Sequence, residues 1–191
     1  MCEAYREART ILEYGSGGST WLAASQPRKF VLSVESDRDW AIALQARIDA
    51  ANLPSSTVVW HVDIGPTGRW GRPNTYENWR NYHRYPQSIW TQPFFRHPDV
   101  VLIDGRLRPA CLVSTCLRIT RPVRVLFDDY VNRPVYHEVE RLVSPTKTIG
   151  RMAVFDLEPV QIRPWMIDLL FEACTQSSLA ADVVDYSTTL A

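Results

Sequence analysis

The chain has 191 residues, of which 46% are hydrophobic and 22% charged, enough for one domain with a substantial core. Lys plus Arg and Asp plus Glu both number 21, so no charge excess advertises nucleic acid or an anionic membrane as a partner. No apolar run approaches a bilayer span, and MCEAYREART lacks the apolar stretch of a signal peptide. Cys2, Cys111, Cys116 and Cys174 show no Cys-x-x-Cys spacing and no histidine cluster beside them. Reduced thiols in a cytoplasmic protein are the expectation, rather than zinc or a disulfide framework.

Strand-like and helix-like segments alternate along the chain. RTILEY (9–14) is short and apolar, as a buried parallel strand would be, and KFVLSVE (29–35) is a second such run. Asp37 is placed to cap a helix with Trp40, Leu44 and Ile48 at every fourth position. TVVWHV (57–62) reads as the third strand. The stretch 65–98 fits neither class: it is rich in Gly, Pro, Asn, Arg and aromatics, long enough to expect a functional insert, with a short helix around 75–82. DVVLID (99–104) and VRVLFD (123–128) are strands four and five. RPACLVSTCLR and RPVYHEVERLV each begin like a helix with proline in its first turn. TKTIGRMAVFDLEP (146–159) reads as a hairpin split at Gly150, and 162–180 as an amphipathic helix that covers a sheet edge or meets a partner. The rotation of strand and helix predicts an α/β fold in one domain over 1–191: a doubly wound, mostly parallel seven-stranded sheet, helices on both faces, and a C-terminal antiparallel hairpin.

The first turn carries the chemistry. ILEYGSGGST (11–20) leads a strand through glycines toward a helix, a geometry that seats a ligand on backbone N–H groups. No lysine follows Gly18, which removes the triphosphate-binding loop. Gly15 and Gly17 match the dinucleotide fingerprint, but Thr20 stands at its third glycine, where a β-branched side chain would crowd the helix against the strand. Glu13 lies two residues before the first glycine. A carboxylate there would repel a pyrophosphate and suits a cationic ligand.

At EYGSGGS the sequence resembles the class I S-adenosylmethionine-dependent methyltransferases, whose first motif is acidic-x-Gly-x-Gly-x. The resemblance covers about residues 9–158. It implies that Gly15, Ser16, Gly17, Ser19 and Thr20 form the cofactor loop, with Glu13 supporting the ammonium group. Glu35 and Ser36 would meet the ribose, Asp63 and Ile64 the adenine, and Asp104 the cofactor from the end of strand four. VVLIDGRLRPACL followed by VLFDDY resembles the small-molecule O-methyltransferase branch, with Asp-Gly after strand four and Asp-Asp-Tyr after strand five.

Some relatives hold a divalent metal with the corresponding acids, so Asp104, Asp128 and Asp129 are an oxygen set for Mg²⁺. This sequence departs from the pattern at Arg106, where relatives often carry an acid or histidine, and a guanidinium beside a metal is unfavourable. The metal-free alternative takes Asp104 or Asp129 as general base, with Arg106 gripping an anionic substrate. His137 is another base candidate or an exposed helix residue. Asp128 is a cap or a chemical group. Trp70, Trp79 and Tyr130 are candidates for the substrate wall. The basic and aromatic insert would also suit single-stranded nucleic acid, which overall neutrality argues against. The expected activity is methylation of a small molecule, most simply at oxygen. A non-catalytic module on the same fold and a nicotinamide-dependent oxidoreductase are the alternatives. Only about eight residues precede strand one, so the insert, or a second subunit in a homodimer, would have to cover the substrate.

Overall fold

The computed structural model describes residues 1–180. The strands are β1 (Thr10–Tyr14), β2 (Phe30–Glu35), β3 (Ser56–His61), β4 (Val100–Ile103), β5 (Val123–Phe127), β6 (Lys147–Ile149) and β7 (Met152–Leu157). They form one sheet in the order β3-β2-β1-β4-β5-β7-β6. The first five are parallel, and β7 runs antiparallel to both β5 and β6. This is the doubly wound sheet with a closing hairpin that the sequence pattern predicts, with the ends of the five parallel strands within one residue of those expected.

The central strands are apolar because both faces of the sheet are covered. Leu12, Tyr14, Leu32, Val34, Val101 and Ile103 point into the larger core. Their neighbours Ile11, Val31, Val100 and Leu102 point into a second core on the other side, as the two-residue period of a strand requires. The helices are α1 (Cys2–Glu7), α2 (Gly18–Ala24), α3 (Arg38–Ala50), α4 (Arg84–Gln87), α5 (Arg108–Arg118) and α6 (Pro164–Thr175). Helix α5 is buried along almost its whole length, from Arg108 to Cys116. Helix α6 packs on α5 rather than on the sheet edge.

Asp37 caps α3 by accepting from the Trp40 N–H (3.0 Å). Ala41, Leu44 and Ile48 form the buried stripe of that helix, and Trp40 remains 44% exposed. The segment after β5 is a 3-10 helix over Pro134–Arg141, not the α-helix its proline and spacing suggest. Val139 is its one buried residue, and Tyr136, Leu142 and Val143 pack only partly against the larger core, so a full helix would gain little from so shallow a contact. Helix α1 was not expected from the sequence. It is held to the underside of the sheet by Tyr5, which is fully buried.

The insert divides into two parts. Tyr82, Tyr85, Ile89 and Trp90 are buried and complete the larger core. Tyr14 donates to the Pro86 carbonyl (2.7 Å) and accepts from the Trp90 indole (2.7 Å). The earlier part stays outside, with Trp70, Tyr76 and Trp79 each more than half exposed, and its expected helix is only a 3-10 turn at Trp79–Asn81.

The turns after β1 and β4 meet at the centre of the sheet. A Cβ on Gly15 would lie 2.7 Å from the Gly105 Cα, and Gly15 has φ +99°. Gly15→Ala should therefore lose about 3 kcal/mol of unfolding free energy in urea denaturation, from left-handed strain and overpacking together. Gly18→Ala, where a new Cβ meets nothing within 4 Å, should stay within about 1 kcal/mol of the parent.

Candidate functional site

In an open parallel sheet, a crevice forms beyond the carboxyl ends of the strands, where neighbouring connections leave toward opposite faces. Here that point lies between β1 and β4. A cleft of about 900 Å³ opens there, bounded by the glycine turn, the ends of β2, β4 and β5, and the Trp70–Arg72 part of the insert.

Gly15, Ser16, Gly17, Gly18 and Ser19 line the cleft. Glu13 and Thr20 do not. Both are fully buried beneath the turn. Gly17 N–H donates to Thr20 Oγ1 (2.9 Å), and Thr20 donates to Glu13 Oε2. Tyr5 donates to Glu13 Oε1 (2.6 Å), and Ser33 donates to Glu13 Oε2 (3.3 Å). The carboxylate thus holds the glycine turn from below through Thr20. The same contact explains how a β-branched residue is tolerated at the third glycine position: its hydroxyl is bonded rather than crowded.

Glu35 ends β2 and faces the cleft. Its Oε1 accepts from the N–H groups of Ser36 (2.7 Å) and Asp37 (3.0 Å). Its Oε2 accepts from the N–H (3.2 Å) and hydroxyl (2.6 Å) of Ser16. The carboxylate is therefore fixed in orientation, and rotation of one serine hydroxyl frees an acceptor site for a ligand hydroxyl. Trp40 closes this side, its indole N–H donating to the Ser16 carbonyl (3.1 Å). The insert approaches through Gly71 (φ +68°), whose carbonyl accepts from Ser36 (2.8 Å). A Cβ on Gly71 would strike the Ser36 hydroxyl.

Asp104, Asp128 and Asp129 bring carboxylate oxygens within 4.8 Å of one another. Arginines interleave them. Buried Arg108 donates to the carbonyls of Asp104 (3.0 Å), Gly105 (3.0 Å) and Asp128 (2.7 Å). It also pairs with the carboxylates of Asp104 (3.0 Å) and Asp129 (3.3 Å). Arg151 grips both oxygens of Asp128 (2.7 and 3.0 Å) and reaches Asp129 (3.2 Å). Arg133 adds a third contact to Asp129 (3.2 Å). Burial raises the Asp104 carboxyl above its ordinary range, against the pull of Arg108. Burial would also raise Asp128, but hydrogen bonds from Arg151 and the Asp129 backbone bring it below the ordinary range.

This set does not fit a divalent cation. Both oxygens of Asp128 are taken, and Asp129 already has three guanidinium partners. An ion would have to strip carboxylates from Arg108, which is buried and cannot be rehydrated. At roughly 5 Å, Arg108 alone would repel a dication by about 7 kcal/mol with an effective dielectric near 20.

Other expected site residues also lie outside the cleft lining. Asp63 is exposed and accepts from the Gly65 N–H (2.8 Å), ending a turn, and Ile64 is fully buried core. Tyr130 is buried against Phe127 and Phe155 and donates to Glu140 (2.8 Å). His137 stacks on Tyr130 (4.7 Å between ring centres), with Nε2 3.1 Å from the Tyr130 carbonyl. Trp79 is exposed, with Arg80 over its ring. Trp70 and Arg106 do line the cleft. Tyr85 and Arg108 line it as well, and so do Trp40, Arg133 and Arg151, which the sequence pattern does not single out as site residues. For Arg151 a signal was present: a strand antiparallel to β5 must begin at the carboxyl end of β5, so the turn residue before β7 lands beside Asp128.

A crystal structure of a methyltransferase-like protein from Silicibacter pomeroyi DSS-3 is 47% identical to this chain, with a TM-score of 0.88, covering 93% of this chain and 92% of that one. The chain belongs to the methyltransferase-like family. An O-methyltransferase from Bacillus cereus, crystallised with SAH, shares the fold at 19% identity and a TM-score of 0.53, over 79% of this chain and 76% of that one. No family model and no curated protein matches the sequence. Family membership agrees with the resemblance drawn from Glu13, the glycines and Glu35. In this methyltransferase-like chain the first of those residues supports the turn from beneath.

Two predictions follow from the charges. Burial raises the Glu13 carboxyl, against the lowering effect of the Thr20, Tyr5, Ser19 and Ser33 hydroxyls. The folded chain then holds this proton more tightly than the unfolded one. The resulting stabilisation is full below the ordinary value of 4.5 and is lost as pH rises through the raised folded value. Gln does not titrate, so as pH rises from 4.5 toward the raised folded value the unfolding free energy of Glu13→Gln should gain on that of the parent. A gap independent of pH in urea titrations would contradict this. Calorimetry with Mg²⁺ or Mn²⁺ should show no saturable binding up to about 1 mM, since the acids are already neutralised. A tighter site would show that the arginines yield.

Proposed function

We propose that this chain transfers a methyl group from S-adenosylmethionine to an oxygen of a small-molecule acceptor. The observation that carries the reading is the Glu35 carboxylate, held in fixed orientation opposite an exposed glycine turn in a family of methyltransferase-like proteins. A carboxylate with N–H groups behind it suits a vicinal diol, as a ribose presents. The open backbone of Gly15, Ser16, Gly17 and Ser19 suits the amino-acid end, and Trp40 and Trp70 offer apolar walls. The cofactor supplies an electrophilic methyl group on a sulfonium, and the protein's task is alignment and exclusion of water.

Asp104 is the carboxylate best suited to accept the acceptor's hydroxyl proton. It has one arginine partner, an exposed edge, and a carboxyl raised by burial. Asp129, engaged by Arg108, Arg133 and Arg151, serves to fix those cations. A non-catalytic module remains the second reading, supported by the arginine contacts made by all three acids. The cytoplasm suits the enzyme, since all four cysteines are free thiols. Among the described residues no helix is long and apolar enough to cross a membrane.

S-adenosylhomocysteine should bind the parent chain in calorimetry, and Glu35→Gln should weaken it about 10- to 100-fold through loss of charged hydrogen bonds. In a methyl-release screen over hydroxylated small molecules, Asp104→Asn should lower turnover by at least about 100-fold while leaving that affinity nearly unchanged. Absence of binding to the parent chain would sink the reading. Binding without turnover on any hydroxylated acceptor would favour the module.

A further inference from the structure

Arg106 stands apart from the arginines around it. Arg108, Arg133 and Arg151 each pair with at least one aspartate of the cleft. The Arg106 guanidinium makes no hydrogen bond or ion pair among the described residues, and its Nε is buried without a partner. The residue lines the cleft directly after Asp104 and Gly105. Its backbone is fixed: the carbonyl accepts from Cys111, and the N–H lies 3.4 Å from the Tyr85 hydroxyl. Desolvation is the main influence lowering the stability of its charged form, followed by the like charge of Arg108; Arg72 adds to this and Tyr85 opposes it.

A half-buried guanidinium whose Nε is cut off from water, with cationic neighbours and no acceptor, is costly unless something supplies the acceptor. The nearby acids do not. Asp104, Asp128 and Asp129 are held by other arginines, and Glu35 by backbone N–H groups and Ser16. The planar fork of N–H donors that an arginine turns toward a cleft matches the two oxygens of an oxyanion. We infer that Arg106 is an oxyanion-binding residue for the acceptor, so that the methylated small molecule is an acid, carrying a carboxylate or a phosphate beside its reacting hydroxyl. This rests on the methyltransferase reading above and narrows its substrate class. Trp70 and Tyr85, which line the same cleft, favour an acid with a flat apolar body.

The test uses the full chain saturated with S-adenosylhomocysteine and three probes: 4-hydroxybenzoate, phenyl phosphate and the neutral 4-hydroxybenzamide. At least one anion should bind the parent at least about tenfold more tightly than the amide. Arg106→Gln should reduce that preference to about twofold or less while holding S-adenosylhomocysteine affinity within about twofold. Arg106→Lys keeps the charge and loses the fork, so it should retain only part of the preference; it also serves should the glutamine variant not fold. Equal binding of anions and amide, or no binding of any probe, overturns the assignment. So does a preference that survives in Arg106→Gln. A fall in S-adenosylhomocysteine affinity that parallels the loss of anion binding would place Arg106 on the cofactor's own carboxylate instead. Anion preference in a parent chain that does not bind S-adenosylhomocysteine would sink the methyltransferase reading and leave the Arg106 site standing.

Discussion

Three carboxylates at the ends of two neighbouring strands repel one another, and in this fold a buried guanidinium stands between them. Arg108 spends its donors on three backbone carbonyls and two carboxylates, all from the turns after β4 and β5. It is both crosslink and counter-ion. The carbonyls fix the spacing of the two turns, and the charge lets Asp104 and Asp129 face one cleft. Leu107 and Asp129 adopt left-handed backbone at φ 49° and 56°. Such strain persists where surrounding contacts over-determine the conformation, as they do around Arg108. Arg133 and Arg151 then complete the neutralisation from the cleft's outer side.

The opposite wall is held by a different device. Glu13 is wholly buried and carries no cationic partner, so hydroxyls supply its stabilisation. Tyr5 comes from α1, Ser33 from the neighbouring strand and Thr20 from the helix that the glycine turn opens. Three separate segments therefore converge on one carboxylate under the turn. Where Gly15 passes Gly105, backbone meets backbone without room for a side chain. The two walls are thereby locked at a fixed separation.

Much of this could be read in advance. Parallel strands buried on both faces must be apolar runs, so β1 to β5 stood out, and Gly150 between two short runs marked the hairpin. The motif residues Gly15, Gly17, Glu35 and Asp104 line the cleft because they sit at or just beyond strand ends, and strand ends were legible. Glu13 was legible as a motif residue but not as a support, because burial beneath a turn depends on α1, whose six residues carry little periodic signal. The fate of the insert was equally hidden. Tyr82, Tyr85 and Trp90 fill the core, while Trp70 and Trp79 remain outside, and composition does not separate the two groups. Arg151 and Arg133 reach the acids only through the antiparallel return of β7 and the turn after β5. Those are tertiary facts with faint local traces.

The cleft's lining also sets how a ligand would arrive. Among the described residues five acids face it, Glu35, Asp37, Asp104, Asp128 and Asp129, against five arginines, Arg72, Arg106, Arg108, Arg133 and Arg151. Opposite charges so finely interleaved cancel within a few ångströms, and little field reaches into solvent. Capture of a charged ligand then resembles a search without a beacon. Arrival is governed by ordinary diffusion, nearly blind to ionic strength, and discrimination begins only after the molecule has entered and shed its water.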